Sequence, residues 1–481
     1  MNYNYKELVQ NSLELDNLGD MAAENDNLSS ISDFKINLDD MEKKFVQTQV
    51  QTQAQTQNLN QNSELKSRDS FQILLDAIRD KRNILMHGPG GCGKTYNIMK
   101  LQNHPDIKYK EIFYTALTGA AAINIPRAMT LHRWAGIGLG KDTAYNLANA
   151  ILKNKLRRLI WQQTEILIID EVSMMGESLF DKLDEIGKIV RKNNQPFGGI
   201  QLILSGDFLQ LPPVNDEFCF RSKRFANLNL LTIKLEDMRR YDDSLFFSML
   251  LRARIGALTD DDRLNLEKRL HFKLGSPDLN SNLNLDFRPT ILYSKRIDTN
   301  AYNMVEFDKL DGPTFTFEAQ ISNGAHSDAY EEIIPLSLQL KIHTQVMLKV
   351  NLDVEQKLIN GSRGVVVGFQ GKSVKVLFPN AKPKNLEVII EPHVWEIRET
   401  NKVVLLTQIP LIMAWALTIH KSQGATLDFV ECDLGDSIFA DGQAYVALSR
   451  VRNYESLILK NFKEKKIRAS REALNFINSI L

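Results

Sequence analysis

Three groups of residues in this 481-residue chain carry the types and spacings that chemistry on a phosphate anhydride needs. The first is Gly88-Pro89-Gly90-Gly91-Cys92-Gly93-Lys94-Thr95, which fits G-x-x-x-x-G-K-[ST]. An apolar run, Asn83-Ile84-Leu85-Met86, precedes it, and a helical pattern from Tyr96 to Leu101 follows. Strand, glycine loop and helix together predict a phosphate-binding loop, in which backbone N–H groups converge on an anion and the helix N-terminus adds partial positive charge. Lys94 is placed to reach the β- and γ-phosphates, and Thr95 to offer a hydroxyl to Mg²⁺. Cys92 reads as a small packing residue. The second group is Asp170-Glu171, ending the apolar strand Ile166–Ile169. Mg²⁺ prefers hard oxygen ligands, which assigns Asp170 to the metal and Glu171 to activating the attacking water. The third group is dispersed: Gln210 in Gly206-Asp207-Phe208-Leu209-Gln210-Leu211-Pro212-Pro213, Arg239, and Arg450. Glutamine beyond a strand end can sense a γ-phosphate, and fixed guanidinium groups stabilise charge spread over a phosphoryl transition state. Taken singly, each arginine reads better as a surface ion pair.

These groups need elements to hold them. Apolar runs at 83–86, 111–117, 166–170 and 201–206 alternate with helical patterns, which predicts an α/β fold with a parallel sheet and function at the strands' C-terminal ends. A second strand–helix series begins at 288–294. Between about 307 and 402 the texture changes, and Arg363–Phe369, Gln370-Gly371-Lys372 and Ser373–Phe378 read as a β-hairpin. The α/β texture is expected to resume at Val403. Residues 1–65 stand apart, with eleven acidic side chains against four basic and an alternating Gln/Thr tract from Gln47 to Gln57. Such a segment buries too little to fold alone and reads as an acidic tail, with a docking segment for a protein partner as the alternative. The equal totals of 59 basic and 59 acidic residues therefore conceal a mildly basic body, a weak sign of a polyanionic partner. Three scattered cysteines without a C-x-x-C pair argue against a zinc site or disulfide framework and for a reducing, intracellular compartment. No apolar run is long enough to span a membrane.

Taken together, the motifs resemble superfamily 1B DNA helicases, specifically the Pif-type (petite integration frequency) branch beside RecD-like and Dda-like enzymes. The resemblance runs over residues 66–481. It rests on the phosphate loop, Thr115–Ala122, Thr130–Gly140, the stretch from Leu179 through Gln195-Pro196-Phe197-Gly198-Gly199, Trp415–Asp428 and Gln443–Arg452. It implies two tandem RecA-like domains: 66–240 with a small wedge insertion, and 241–306 joined with 403–481. A β-rich, SH3-like barrel insertion would occupy 307–402. It implies ATP and Mg²⁺ as cofactors, single-stranded and tailed duplex DNA as partners, and no membrane partner. A monomer or weak self-association, 5′→3′ polarity, and a place in the nucleus or at sites of DNA replication complete the expectation. Carried over by position, Lys94, Glu171, Gln210, Arg239 and Arg450 take catalytic roles, Thr95 and Asp170 the metal. Gln423 and Gly424 join Gly88–Thr95 at the nucleotide, with Gln72 as the adenine-reading residue. Thr118, His132, Trp134 and His420 fall where such enzymes touch the tracking strand, although core packing explains Trp134 equally well. Arg240 stands where the family commonly has Gln. An ATPase that remodels nucleoprotein or RNA without separating strands is the alternative function.

Overall fold

The computed structural model describes residues 69–122, 125–138, 140–270, 272, 288–322, 328–331, 333–353, 355–398 and 403–480. The expected acidic tail, 1–65, lies outside them. The described chain divides into two units, 1–80 and 81–481. The first contributes the helix Ser70–Arg79, whose N-terminus is capped by the Asp69 carboxylate accepting from Phe71 N. Phe71, Leu74, Leu75 and Ile78 are buried along one stripe, as the spacing of apolar residues predicts.

The second unit contains two wholly parallel sheets. The six strands of the first are β1 (Ile84–His87), β2 (Ile112–Ala116), β3 (Met129–Thr130), β4 (Ile166–Asp170), β5 (Gln201–Gly206) and β6 (Leu231–Lys234). Their order is β3-β2-β4-β5-β1-β6. Every residue of β1, β4 and β5 is buried, which is why those strands are continuous apolar runs rather than alternating ones. The register places His87 opposite Gly206 and Ile169 opposite Leu204. The C-terminal ends of β1, β4 and β5 therefore lie side by side, and the glycine loop, Asp170 and the Asp207–Gln210 loop leave the sheet at one edge.

In the second parallel sheet, β7 (Thr290–Tyr293) lies between Ala416–Thr418 and Val430–Leu434, and Leu457–Phe462 completes the order. The helix Ser244–Ile255 packs its Phe246, Met249, Leu250 and Ala253 into this sheet's core. The two sheets and the β-rich insertion are the expected tandem RecA-like architecture.

The insertion is built of antiparallel sheets of five, three and two strands. Arg363–Gln370 and Ser373–Phe378 pair as the expected hairpin, turning through Gly371 at φ 59°. Its boundary differs from expectation. Val403–Gln408 pairs antiparallel with His393–Arg398, and Leu411–Met413 pairs antiparallel with Gln345–Leu348. The parallel texture returns at Ala416 rather than Val403. The apolar content of 403–413 shows that these are strands, but strand direction leaves no compositional mark. The insertion is rooted on the second parallel sheet by buried polar contacts. Arg363 Nη1 donates to Arg288 O (2.7 Å) and Thr290 Oγ1 (3.0 Å), and Gln345 Nε2 donates to Ala414 O (3.0 Å).

The stretch from Leu179 to Gly199 is explained by packing. The helix Glu177–Arg191 buries Phe180, Leu183, Ile186 and Val190. Phe197 passes so close that a Cβ on Gly187 would lie 2.7 Å from its carbonyl. The buried Asp184 accepts from Phe197 N (2.8 Å) and pairs with Arg224 Nη1 (3.0 Å).

Candidate active site

The glycine loop leaves β1 and enters the helix Lys94–Gln102 through backbone that only glycine adopts without strain. Gly91 has φ 85° and Gly93, the helix N-cap, φ 87°. Lys94 Nζ folds back onto the loop and donates to Gly88 O (2.6 Å) and Pro89 O (2.9 Å). Thr95 Oγ1 meets Asp170 Oδ2 at 3.1 Å. Asp170 Oδ1 accepts from Ser205 Oγ (2.8 Å) and Glu171 N (3.0 Å). Glu171 itself takes the left-handed conformation, φ 55°, uncommon for a residue with a side chain. Burial raises both carboxyls above their ordinary range, and for Glu171 the neighbouring Asp170 adds to the rise. A buried carboxyl and a half-buried one beside a hydroxyl suit a divalent cation that draws its remaining ligands from water and phosphate. Among the described residues there is no cluster of three or more His, Cys, Asp or Glu that could hold a metal by itself. All three cysteines are buried and free, and burial pushes the Cys92 thiol up to about 11, consistent with packing.

The second parallel sheet completes the site. Gln423 Nε2 donates to Glu171 Oε2 (2.9 Å) and lies 3.3 Å from Gln210 Oε1. A chain of side chains thus runs from the water-activating candidate through Gln423 to the γ-phosphate-sensing candidate. Gly424, φ 80°, turns the backbone directly after it. A Cβ on Gly90 would lie 3.3 Å from Gln210 Nε2, 3.5 Å from the Tyr445 hydroxyl and 3.7 Å from Arg450 Nη2. Tyr445 Oη accepts from Gly90 N at 2.9 Å, and burial raises its own pKa. Arg450 is buried, donating to Val446 O (2.7 Å), Ser422 O (3.1 Å) and Ser449 Oγ (2.6 Å). Burial, then the nearby Arg240, lowers its pKa to about 10.

Beneath this layer, Asp207 and Arg254 form a fully buried pair, with Arg254 Nη2 2.7 Å and Nε 2.9 Å from the carboxylate. Burial opposes the Asp207 charge, but Arg254 more than offsets it and the carboxyl titrates below its ordinary range. His87 lies nearby with neither ring nitrogen hydrogen-bonded, and burial together with Arg254 lowers its pKa to about 3. Tyr445, Asp207 and Arg254 were not singled out from sequence, because their partners lie 355 and 47 residues away and no local pattern marks them.

Arg239 approaches the loop from outside. Its side chain is exposed, lies 5.3 Å from the Tyr96 ring centroid, and packs where a Cβ on Gly93 would come within 2.7 Å of Cδ. Gln72 belongs to the first unit, where its exposed amide donates to Asp76 Oδ1 (3.0 Å).

The residues expected at DNA separate into two kinds. Trp134 requires a correction: it is 2% exposed, donates to Thr164 Oγ1 (3.3 Å), and packs at 4.4 Å against Trp161. Both faces are committed to the core, so it is not a platform for a base. Thr118 is half-buried and accepts from Ala121 N (3.1 Å). His132 is half-buried in the helix Leu131–Ala135. His420 is half-buried, lies nearly parallel to Phe439 at 6.4 Å, and has its pKa lowered by burial. Phe439, 56% exposed, is an aromatic surface the sequence reading passed over.

Comparisons with known proteins agree with this geometry. The family described as PIF1-like helicase matches residues 66–257, and that of the Pif1 helicase 2B domain matches residues 331–369. The ATP-dependent DNA helicase PIF1 of Xenopus laevis is 36% identical over 85% of this chain, and the chain spans 63% of that relative's length. The crystal structure of the Pif1 helicase from Candida albicans is similar with a TM-score of 0.70 at 32% identity, covering 86% of this chain and 99% of that one. A Bacteroides Pif1 helicase in complex with ADP-AlF3 and single-stranded DNA gives a TM-score of 0.61 at 26% identity, covering 86% and 96%. On its fold, its motifs and this coverage, the chain belongs to the Pif1-like helicase family.

Proposed function

We propose that this chain is an ATP-dependent DNA helicase that moves 5′→3′ on single-stranded DNA and unwinds duplex. The observation that carries this reading is that the catalytic groups come from two sheets. The glycine loop, Asp170 and Glu171 leave the first, whereas Gln423 and Tyr445 leave the second and meet them at hydrogen-bonding distance, with Arg450 close to the loop. A phosphoryl-transfer site built this way responds to loss of the γ-phosphate with relative movement of its halves.

The residues take these roles. Glycine-loop amides and Lys94 bind the β- and γ-phosphates, with Lys94 exchanging its loop carbonyls for phosphate oxygens. Thr95 and Asp170 would hold Mg²⁺, which would supply positive charge to offset that of the phosphates. Glu171 orients the attacking water and accepts its proton, with Gln423 fixing its carboxylate. Gln210 senses the γ-phosphate. Arg450 and Arg239 stabilise the transferring group, and Gln72 contacts the adenine. Thr118, His132 and His420 contact the DNA strand. The Candida and Xenopus relatives support this reading through their names, and the Bacteroides complex through its bound ligands. Among the described residues no helix is long and apolar enough to cross a membrane. A monomer working in the nucleus or at sites of DNA replication fits the same reading.

The test is ATP-dependent strand separation of partial duplexes bearing a 5′ or a 3′ tail. Unwinding of the 5′-tailed substrate alone is expected. DNA-stimulated hydrolysis with neither substrate unwound would transfer the reading to a translocase that remodels nucleoprotein.

A further inference from the structure

The loop that carries Gln210 is gripped residue by residue from the second sheet's half. Asp207 pairs with Arg254, on the helix packed on that sheet. The backbone of Leu209 and Gln210 lies against Gly442, where a Cβ would stand 2.5 Å and 2.3 Å from their carbonyl oxygens. Phe208, 1% exposed, meets the helix Arg471–Ile480, which follows the second sheet in the chain. Its ring stands edge-on to Phe476, with centroids 5.3 Å apart. Phe476 in turn stacks on Phe220 at 4.2 Å, with ring planes 2° apart, and meets Phe225 edge-on at 5.8 Å. Glu472 of the same helix pairs with Arg221. Phe220, Arg221 and Phe225 belong to the first half, so this helix leaves one half and docks on the other. Gly442 N donates to Arg468 O (2.9 Å), just ahead of the helix, which joins the grips on either side of Gln210. Ring pairs prefer particular separations and angles. The Phe476 ring therefore sets where Phe208 lies and, through the short loop, where the Gln210 amide points.

We propose that Phe476 is a positioning residue for ATP hydrolysis: carried by the second half, it fixes Phe208 and thereby holds the Gln210 amide in place for the γ-phosphate. The inference rests on the reading of Gln210 as the γ-phosphate sensor and goes beyond it by naming what holds that side chain. Phe476 itself touches no reacting group and acts through the loop alone. The helix Arg471–Ile480 is then a strap across the two halves, and their relative movement reaches Gln210 through ring contacts.

The experiment compares wild type, Phe476→Ala, Phe476→Leu, Gln210→Ala and the double variant Phe476→Ala/Gln210→Ala as full-length chains. DNA-stimulated kcat and KM for ATP are measured well below the lowest thermal midpoint, with the affinity for a fluorescent ATP analogue. Misplacing a group that acts on the transferring phosphate predicts that Phe476→Ala lowers kcat about tenfold. ATP affinity should stay near wild type, because the glycine loop and Lys94 are untouched. Phe476→Leu keeps apolar bulk without the flat ring and should fall between. On the Gln210→Ala background the Phe476→Ala change should cost little more, since its effect passes through an amide already removed. A ring that only packs would lower the midpoint and leave kcat alone. Wild-type kcat in Phe476→Ala therefore overturns the proposal, and so does a loss that multiplies in full with that of Gln210→Ala. If the Ala variant does not fold, Phe476→Leu, alone and with Gln210→Ala, decides on the same two readouts. Wild-type kcat in Gln210→Ala would instead overturn the sensing role of Gln210, and this inference with it.

Discussion

The two parallel sheets of the second unit are built alike but contribute unlike groups to the cleft. The first supplies a cradle: glycines at 88, 90, 91 and 93, a lysine held by the loop's own carbonyls, the buried Asp170 and the half-buried Glu171. The second has no glycine loop after β7. It contributes side chains that reach across, namely Gln423 to Glu171 and Tyr445 to Gly90, with Arg450 close to the loop. On the proposed reading, the first half holds the phosphates and the second completes the site from the far side. Removing groups from each half should therefore produce different failures, ranked by what each group touches.

The largest effect is expected in the cradle. Lys94→Ala removes the loop's cation from the phosphates and should reduce DNA-stimulated ATP hydrolysis to background. Because Lys94 also ties Gly88 and Pro89, a modest fall in the melting temperature should accompany it. Hydrolysis near the wild-type rate would show that the cradle is not the reaction site.

Glu171→Gln tests whether the first half also activates water. The amide keeps the shape and a hydrogen-bonding oxygen but cannot accept the proton. Turnover should fall about two to four powers of ten, with ATP affinity retained through Lys94 and Thr95. Steady-state rate and nucleotide affinity measured on one preparation separate the outcomes. Loss of affinity in step with rate would make Glu171 a structural residue and leave water activation elsewhere.

A stability effect should mark the seam between the halves. Asp207 follows β5 of the first sheet, while Arg254 ends the helix packed on the second, and neither is exposed to solvent. Breaking a buried pair by removing one charge strands the other. Asp207→Asn should therefore cost about 3–5 kcal/mol in denaturant unfolding. The sign of the pH dependence follows from the lowered pKa of Asp207. Its contribution is complete above the ordinary carboxylate range and is lost as pH falls through the lowered folded value. An Asn variant as stable as wild type at neutral pH would mean that the seam is held by apolar packing alone.

Legibility from sequence follows the same division. The cradle could be read because its constraints crowd into eight consecutive positions, each with a local physical reason: φ for Gly91 and Gly93, charge for Lys94, a hydroxyl for Thr95. The parallel sheets could be read from buried apolar runs. In the second half, Gln423 was reachable through resemblance alone, and Arg450 was named for its charge with no local signature to separate it from a surface ion pair. Asp207–Arg254 and Tyr445–Gly90 are products of tertiary approach and were missed. Trp134 failed as a DNA contact because residue type does not say which side of a short helix faces the core. The insertion's end was misplaced because Val403–Gln408 and Leu411–Met413 differ from parallel strands only in direction.

The smallest predicted effect is the most specific to the comparison. Tyr445 Oη accepts from Gly90 N at 2.9 Å in a buried setting, so one hydroxyl joins the second half to the cradle's backbone. Tyr445→Phe keeps the ring among its buried neighbours Ala444, Val446 and Leu448 and deletes only the acceptor. The Gly90 N–H is then left buried without a partner, a loss of about 1–3 kcal/mol. Unfolding in denaturant should show that loss. If the bond also holds the loop in register for the nucleotide, KM for ATP should rise a few-fold while kcat changes little, because no group touching the reacting atoms has been removed. A stability loss with unchanged KM would make Tyr445 a tie of the fold. Completing the site from the second half would then fall to Gln423 and Arg450, and truncating either should lower kcat while Tyr445→Phe does not.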